Sequence, residues 1–405
     1  MTVGPIDAPG IDVHADRDAF RKAVRQWFDE HAPAKGSAGD FSAIHVVTAN
    51  TREEYRARED AAREVTRQWQ RTLFDAGLAG RSWPHQYGGA GAPPWQDDVV
   101  AEEQARYGVS TKMMAVALEM VPLVLFSHGT HAQRLEHLPR VIRGEESWCQ
   151  LLSEPGAGSD LTSVSTQATP VDGGWSVTGQ KVWTSGAGSS DFALLIARTD
   201  RSVPGRGGLS CFAMPMAQPG VDVRPLRQLS GAYHFNEVFL DTAFVPASGL
   251  IGEVGGGWAV LRTMLSHERA AIGGGTSGRG ALQLVALARR LRRSDDPLVR
   301  QQIVAAVARE RLLDLVQARV AAGAFVPASG SVAKLLYSEH ARLTANVALE
   351  LLGPSGAVTG DPAAEPWIER FLFAPGLRIG GGTDEIQRNT IAERGLGLPR
   401  EPQPR

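Results

Sequence analysis

Cysteine is scarce in this chain. Cys149 and Cys211 are the only two among 405 residues. Two isolated thiols build neither a disulfide framework nor a zinc cluster, and they fit a reducing, cytoplasmic compartment. Long apolar runs are missing as well: no window reaches the roughly 18 uncharged apolar residues that a membrane span needs. Asp7, Asp12, Asp16 and Asp18 precede any apolar run, so no signal peptide is expected. Charge of one sign is lacking too. A formal net charge of −2 argues against nucleic acid or an anionic membrane as partner. Arginine far outnumbers lysine, but it is scattered along helical stretches. No internal repeat is present.

Several common chemistries lack their motifs. There is no G-x-S-x-G elbow for a serine nucleophile and no G-x-x-x-x-G-K-[ST] phosphate loop. His128 and His131 stand three apart without a third ligand nearby, so no metal is expected. Gly273-Gly-Gly-Thr-Ser-Gly278 fits G-x-G-x-x-G, with Asp295 further on. That fingerprint must follow a strand and open a helix inside a βαβ unit. Here Met264 to Ile272 reads as helix and no strand follows Arg293. A small-residue segment allowing close approach of a helix or ligand is the better reading.

What is present is a globular composition, 43% hydrophobic and 21% charged, in a chain long enough for two or three domains. Residues 1–147 read as helical. Phe20, Val24, Trp27 and Phe28 mark one amphipathic face within Asp16 to Glu30, Glu53 to Gly77 forms a second run, and Asp97 to Tyr107 a third. Met113 to Phe126 is nearly all apolar and reads as a buried helix. Across 148–247 the pattern changes to short β-prone runs: Trp175 to Val177, Phe192 to Ala197, Ser210 to Met214, Val221 to Leu226 and Asn236 to Leu240. Gly, Pro and Asp separate them, as in an antiparallel barrel or sandwich. In 248–405 helices return, at Ala281 to Arg293, Gln301 to Ala322, Val332 to Leu352, Trp367 to Phe373 and Asp384 to Arg394. Helices, then strands, then helices predict an α+β chain, mostly α, and not a doubly wound parallel sheet.

The most telling stretch is Trp148-Cys-Gln-Leu-Leu-Ser-Glu-Pro-Gly-Ala-Gly-Ser-Asp160, followed by Gly179-Gln-Lys-Val-Trp-Thr-Ser-Gly186. The first runs from an apolar strand into a turn dense in Gly, Ser and Pro, whose backbone N–H groups can cradle phosphate. The second sets a Trp and two hydroxyls just after a lysine at a strand end. This ordered pair resembles the flavin-binding signature of the acyl-CoA dehydrogenases. Trp83-Pro-His-Gln-Tyr-Gly-Gly89 and Ile379-Gly-Gly-Gly-Thr-Asp-Glu-Ile-Gln-Arg-Asn389 are similar to the family's N-terminal and closing signatures. The resemblance spans most of the chain and implies a helical N-terminal domain, a middle β-domain and a C-terminal four-helix bundle. It also implies FAD. Ser153 stands where the family usually has a threonine serving flavin N5, Trp183 would pack on the ring, and Ser185 would hydrogen-bond near N5. Ser159 matches the family serine that contacts ligand, with Gln150, Leu152 and Gly158 beside it.

The family reaction removes the alpha proton of an acyl-CoA thioester while a hydride leaves the beta carbon for the flavin. Its base is a carboxylate, desolvated so that its pKa rises. Most members carry a Glu directly before the Gly-Thr of the closing signature. That position here is Gly381. A minority place the base on an earlier helix before an arginine, which assigns Glu268, with Arg269 and Gly381 on the substrate side. A second departure concerns the cofactor's far half. The usual Arg-x-x-Phe-Gly segment is missing from Arg290 to Gln301. Arg300 and Gln301 fall where neighbour-subunit residues usually touch the cofactor, and Glu350 replaces a usual glutamine near Gly353. Thr383 completes this set.

The resemblance thus implies an acyl-CoA dehydrogenase that passes electrons to an electron-transfer flavoprotein, as a dimer or tetramer with itself or a paralogous subunit. The alternatives are a non-catalytic or half-catalytic partner subunit of a hetero-oligomeric dehydrogenase, or a related oxidase or monooxygenase in which oxygen reaches the flavin. Gly380, Gly381 and Gly273 to Gly275 point to a branched or bulky acyl group.

Overall fold

The computed structural model describes residues 16–44, 49, 51–274, 280–323, 328–358 and 360–400, with the backbone alone for 266–274 and 321. One compact unit ends at Thr263 and the other begins at Met264. In the first, helix α1 (Arg17–His31) is capped by Asp16, whose carboxylate accepts from the Asp18 and Ala19 amides at 3.0 and 2.9 Å. Phe20, Val24 and Phe28 recur every fourth residue and are fully buried. They pack with Trp69 and Leu73 of α2 (Arg52–Asp75) and Val99 and Val100 of α3 (Trp95–Gln104). Arg25 forks onto Glu103 with two bonds of 2.9 Å, fixing α1 against α3.

The apolar run expected as one helix is broken. A 3₁₀ turn (Lys112–Met114) and a π turn (Val116–Met120) precede α4 (Val121–His128). Pro122 explains the restart, because it has no N–H to continue the earlier ladder. Helix α5 (His131–Ile142) begins in a reciprocal capping box between Thr130 and Gln133.

Eight strands form one sheet: β1 (Trp148–Leu151), β2 (Gln167–Val171), β3 (Gly174–Ser185), β4 (Phe192–Arg198), β5 (Leu209–Pro215), β6 (Val221–Leu226), β7 (Phe235–Pro246) and β8 (Leu250–Ile251). Their order is β6-β7-β3-β2-β4-β5-β8, with β1 on β4. The pairing is antiparallel except where β4 meets β1 and β2. Strand β4 is buried along Ala193 to Ala197, so it reads as a continuous apolar run rather than an alternating one. Strands β3 and β7 are longer than their β-prone cores suggested, since polar residues extend both into a bulged hairpin-like ribbon.

Helix α6 (Gly257–Gly274) runs across the boundary between the units. The second unit holds α7 (Ala281–Arg290), α8 (Pro297–Ala321), α9 (Ser329–Leu352), α10 (Glu365–Leu377) and α11 (Asp384–Thr390). Leu284, Leu287, Val299, Val347, Leu351 and Trp367 form its core.

Gln133 joins helix to sheet. Its Oε1 accepts from the Thr130 amide at 2.9 Å, and its Nε2 donates to Ser248 O and Leu250 O at 2.7 and 2.8 Å. Gln133→Ala is expected to cost about 2 kcal/mol in denaturant unfolding, from a lost cap and two unpaired carbonyls. Gln133→Glu keeps the cap but sets an anionic oxygen against two carbonyls. It should destabilise more than alanine does.

Candidate functional site

The site begins where β1 ends. Leu152 and Ser153 leave the strand, and Glu154 and Ala157 exchange backbone bonds of 3.0 and 3.1 Å around Pro155-Gly156. A Cβ added at Gly156 or Gly158 would meet no protein atom within 4 Å. The protein's own packing therefore does not demand glycine there. The backbone there faces open space, with Ser159 exposed beside it, so a phosphate-sized group can approach at backbone distance.

A buried ion pair holds this turn to β3. The Lys181 ammonium and the Glu154 carboxylate meet at 2.8 Å, both almost fully buried. Lys181 also donates to Leu152 O at 3.0 Å. Glu154 accepts from Ser165 N and Oγ, each at 2.7 Å, and from Thr166 N at 2.9 Å. Burial pushes the Glu154 pKa up, but Lys181 and these donors outweigh it and bring the carboxyl down to about 2. Burial pulls the ammonium down to about 8, so both partners are ionised at neutral pH.

From Lys181 the chain enters a bulge against β7, between Lys181 and Thr184. Trp183 sits on it with φ of +64° and is 60% exposed. Its ring stands edge-on to Phe235 at 5.8 Å. A bulky residue in the left-handed region costs on the order of 1–3 kcal/mol, and such strain clusters at ligand sites. An exposed indole regains little of that by burial. Val182 and Thr184 point inward, while Ser185 is exposed beside the indole. Gln150 on β1 is half-buried, with its Nε2 against Met120 Sδ of the π turn.

The second unit carries the remaining residues. Arg300 and Gln301 lie exposed on α8. Glu350 on α9 accepts at 2.6 Å from Gln302 rather than from Gln301. Gly353 ends α9 with φ of +57°. The Gly380-Gly-Gly-Thr383 turn is tightly built. Gln387 Nε2 donates to Gly381 O and Gly382 O at 2.9 and 3.0 Å, and Thr383 Oγ1 caps α11 by accepting from Ile386 N at 3.2 Å. Behind it Asp384, fully buried, accepts from Lys334 Nζ at 3.0 Å, Ser338 Oγ at 2.7 Å and Arg378 Nε at 2.7 Å. Burial raises the Asp384 pKa, but these donors hold it below the usual range. The backbone places Glu268 and Arg269 on α6, and their side chains lie outside the described residues, as do Gly275 to Gly278.

His128 bonds Thr263 Oγ1 at 2.9 Å and His131 meets Tyr87 OH at 3.0 Å. Cys149 and Cys211 are buried, their thiols pushed up to about 12, so neither is a nucleophile at neutral pH. Sequence reasoning missed Glu154, Lys181, Asp384, Lys334 and Gln387. Four of them, Glu154, Lys181, Asp384 and Gln387, stand inside the quoted motifs, whereas Lys334 lies outside any motif and carries no local signal.

Models of the N-terminal, middle and C-terminal domains of acyl-CoA dehydrogenase match residues 14–145, 149–242 and 255–396. The chain belongs to the acyl-CoA dehydrogenase family, whose members are FAD-dependent oxidoreductases. It is 37% identical to acyl-CoA dehydrogenase IpdE1 of Mycobacterium tuberculosis, over 95% of this chain and 99% of that protein. Among solved structures it resembles the Tcur3481-Tcur3483 steroid ACAD, with a TM-score of 0.77 and 25% identity over 96% of this chain and 100% of that one. The ChsE4-ChsE5 complex from Mycobacterium tuberculosis gives 0.75 at 25% identity, over 96% and 100%.

Lys181→Met leaves Glu154 ionised and buried without its partner. A loss of about 3–5 kcal/mol in unfolding free energy is expected. Adding Glu154→Leu should recover much of it in a double-mutant cycle. The Glu154 contribution is fully present above its ordinary pKa near 4.5 and is lost as pH falls toward about 2. The Lys181→Met/Glu154→Leu protein should therefore show a shallower acid limb in stability against pH.

Proposed function

We propose that this chain is an FAD-dependent dehydrogenase that desaturates a bulky acyl thioester between its alpha and beta carbons, with Glu268 as the base. Trp183 carries the reading: a strained, exposed indole beside Ser185, held to the Ser153–Ser159 turn by a buried ion pair. These residues fit a flavin. Trp183 offers a flat apolar face, Ser153 and Ser185 offer hydroxyl donors, Gln150 and Leu152 border them, and Gly158 and Ser159 offer open backbone. Arg300, Gln301, Glu350, Gly353 and Thr383 belong to the part of the site supplied by helical-domain residues, with a neighbouring subunit in view. FAD supplies the two-electron acceptor when bound. Glu268 takes the alpha proton, and Ser159, Arg269 and Gly381 meet the acyl thioester.

Two observations support a bulky acyl group. A Cβ on Gly380 would approach nothing closer than Gly376 O at 3.5 Å, so tight packing does not explain that glycine. The similar structures named above include one described as a steroid ACAD. The acceptor of electrons is read as an electron-transfer flavoprotein, and the compartment as the cytoplasm, where two buried free cysteines persist. Among the described residues no helix is long and apolar enough to cross a membrane.

The test is an anaerobic panel of acyl-CoA thioesters read by flavin absorbance. Branched or polycyclic thioesters should bleach the flavin with higher kcat/KM than butyryl- or hexanoyl-CoA. Glu268→Gln should hold flavin and ligand yet lose on the order of 10²- to 10⁴-fold in reduction rate. Wild-type rates in that variant would move the base to another chain. Rapid reoxidation of the reduced protein in air would favour an oxidase.

An assembly of at least two chains is part of the proposal. Leu298, Val304, Val307, Leu312, Leu315 and Val320 are exposed on α8, more apolar surface on one helix than a lone chain usually shows. The partner is a second copy or a paralogue, the latter favoured by the missing Arg-x-x-Phe-Gly segment. Light scattering should give a dimer or larger, and one FAD per two chains would mark a mixed assembly. A flavin-loaded monomer would refute it.

A further inference from the structure

Arg63 of α2 belongs to no motif. It is 6% exposed, and its Nε is buried without a hydrogen-bond partner. Its Nη1 donates to Met113 O at 3.3 Å. Its counter-ion, Glu59, stands one helical turn back at 3.9 Å, too far for a hydrogen bond. Burial lowers the Arg63 pKa and raises that of Glu59. The neighbouring Arg67 is already committed to Asp191 at 2.8 Å. Arg63 also lines a cavity of about 320 Å³ with Asp60, Glu64, Arg67 and Asp191. Arg63 is thus a largely buried cation with carboxylates nearby but none, among the described residues, in hydrogen-bond contact.

Its position matters more than its burial. A Cβ built on Gly186 would lie 2.7 Å from Arg63 Nη2, and Gly186 has φ of +66°. The guanidinium therefore lies directly behind the Trp183-Thr-Ser-Gly186 turn. Ser185 is the next residue, so the charge stands no more than about 10 Å from its hydroxyl by covalent geometry. Glycine at 186 both permits the left-handed turn and lets the cation come this close.

We infer that Arg63 is a positioning and electrostatic residue for the flavin held at this turn, favouring the reduced cofactor over the oxidised one. The inference rests on the flavin reading above. Transfer of a hydride from the substrate beta carbon brings two electrons and one proton to the ring, which gains one negative charge. The proton from the alpha carbon goes to the base. A fixed cation behind the turn stabilises that added charge. At an effective dielectric of about 20, a charge about 10 Å away changes the ratio of reduced to oxidised cofactor bound roughly tenfold, and a ring lying farther off than that feels less.

The experiment measures the flavin midpoint potential by spectroelectrochemistry on the purified, flavin-loaded protein. Arg63→Met should lower it, in line with a roughly tenfold loss in that ratio. Arg63→Lys keeps the charge without the planar fork and should stay near wild type, which a purely packing role would not produce. If Arg63→Met does not fold, Glu59→Gln carries the test: removing the opposing charge should raise the potential. A wild-type potential in Arg63→Met, or an equal fall in Arg63→Met and Arg63→Lys, overturns the inference. So does an unchanged or lowered potential in Glu59→Gln. Wild-type protein that takes up no FAD would instead overturn the flavin reading, and this inference with it.

Discussion

The buried pair of Lys181 and Glu154 is the contact on which the rest of the site depends. It joins two segments far apart in sequence, the turn after β1 and the end of β3. Besides it, among the described residues, only the backbone bond from Val182 N to Ser153 O at 2.9 Å is seen to tie the Ser153–Ser159 turn to the strand that presents Trp183. A buried pair of this kind adds little net stability over an apolar substitute, because desolvation offsets most of the attraction. Its use is geometric. Glu154 spends its remaining lone pairs on Ser165 and Thr166, so one carboxylate fixes three strands of chain at once. An apolar pair of the same volume would fill the space without setting that register.

Around this anchor the molecule gives up local stability in a small region. Trp183 holds a left-handed conformation and is mostly exposed, although its neighbours Val182 and Thr184 on β3 are buried. Gly156 and Gly158 leave open space where a Cβ would meet no protein atom within 4 Å. Each feature is unfavourable for folding alone, and they lie together. The sheet around them tolerates this because Val177, Val238, Leu240 and the apolar run of β4 are fully or nearly fully buried. The same logic appears at the closing turn, where Asp384, Lys334 and Gln387 over-determine a loop of three glycines.

Much of this was legible in the sequence, for identifiable reasons. The helices with strong periodicity, such as Phe20-Val24-Phe28, declare themselves, and the Gly-rich motifs name their own turns. Strand β2 was not legible, because Gln167-Ala-Thr-Pro-Val171 has a proline and little apolar content. It exists by pairing with β3, a tertiary effect. Strand β8 is two residues long and has no local signature. The apolar run from Met113 looked like a single helix because hydropathy alone ignores Pro122. In the site, Trp183 was legible as a residue but not as a strained one. Nothing in Gly-Gln-Lys-Val-Trp predicts a bulge, since register depends on the partner strand. Arg63 was invisible for the same reason: only the fold brings α2 behind Gly186.

The glycine at 381 bears on where the chemistry is done. Its φ of +67° would penalise a glutamate by roughly 1–2 kcal/mol. A general base is worth on the order of 10²- to 10⁴-fold, or about 3–5 kcal/mol. Backbone strain is thus too small to exclude a carboxylate whose chemistry the site required. Crowding does not exclude it at the neighbouring Gly380 either, where a Cβ would make only ordinary contact. At Gly380 the missing side chain leaves open volume. In the function proposed above the proton is taken from elsewhere, by Glu268, which precedes Arg269 on α6. On that proposal, an emptied closing turn and a base on the earlier helix are two sides of one arrangement, in which space for the acyl group is gained by moving the carboxylate.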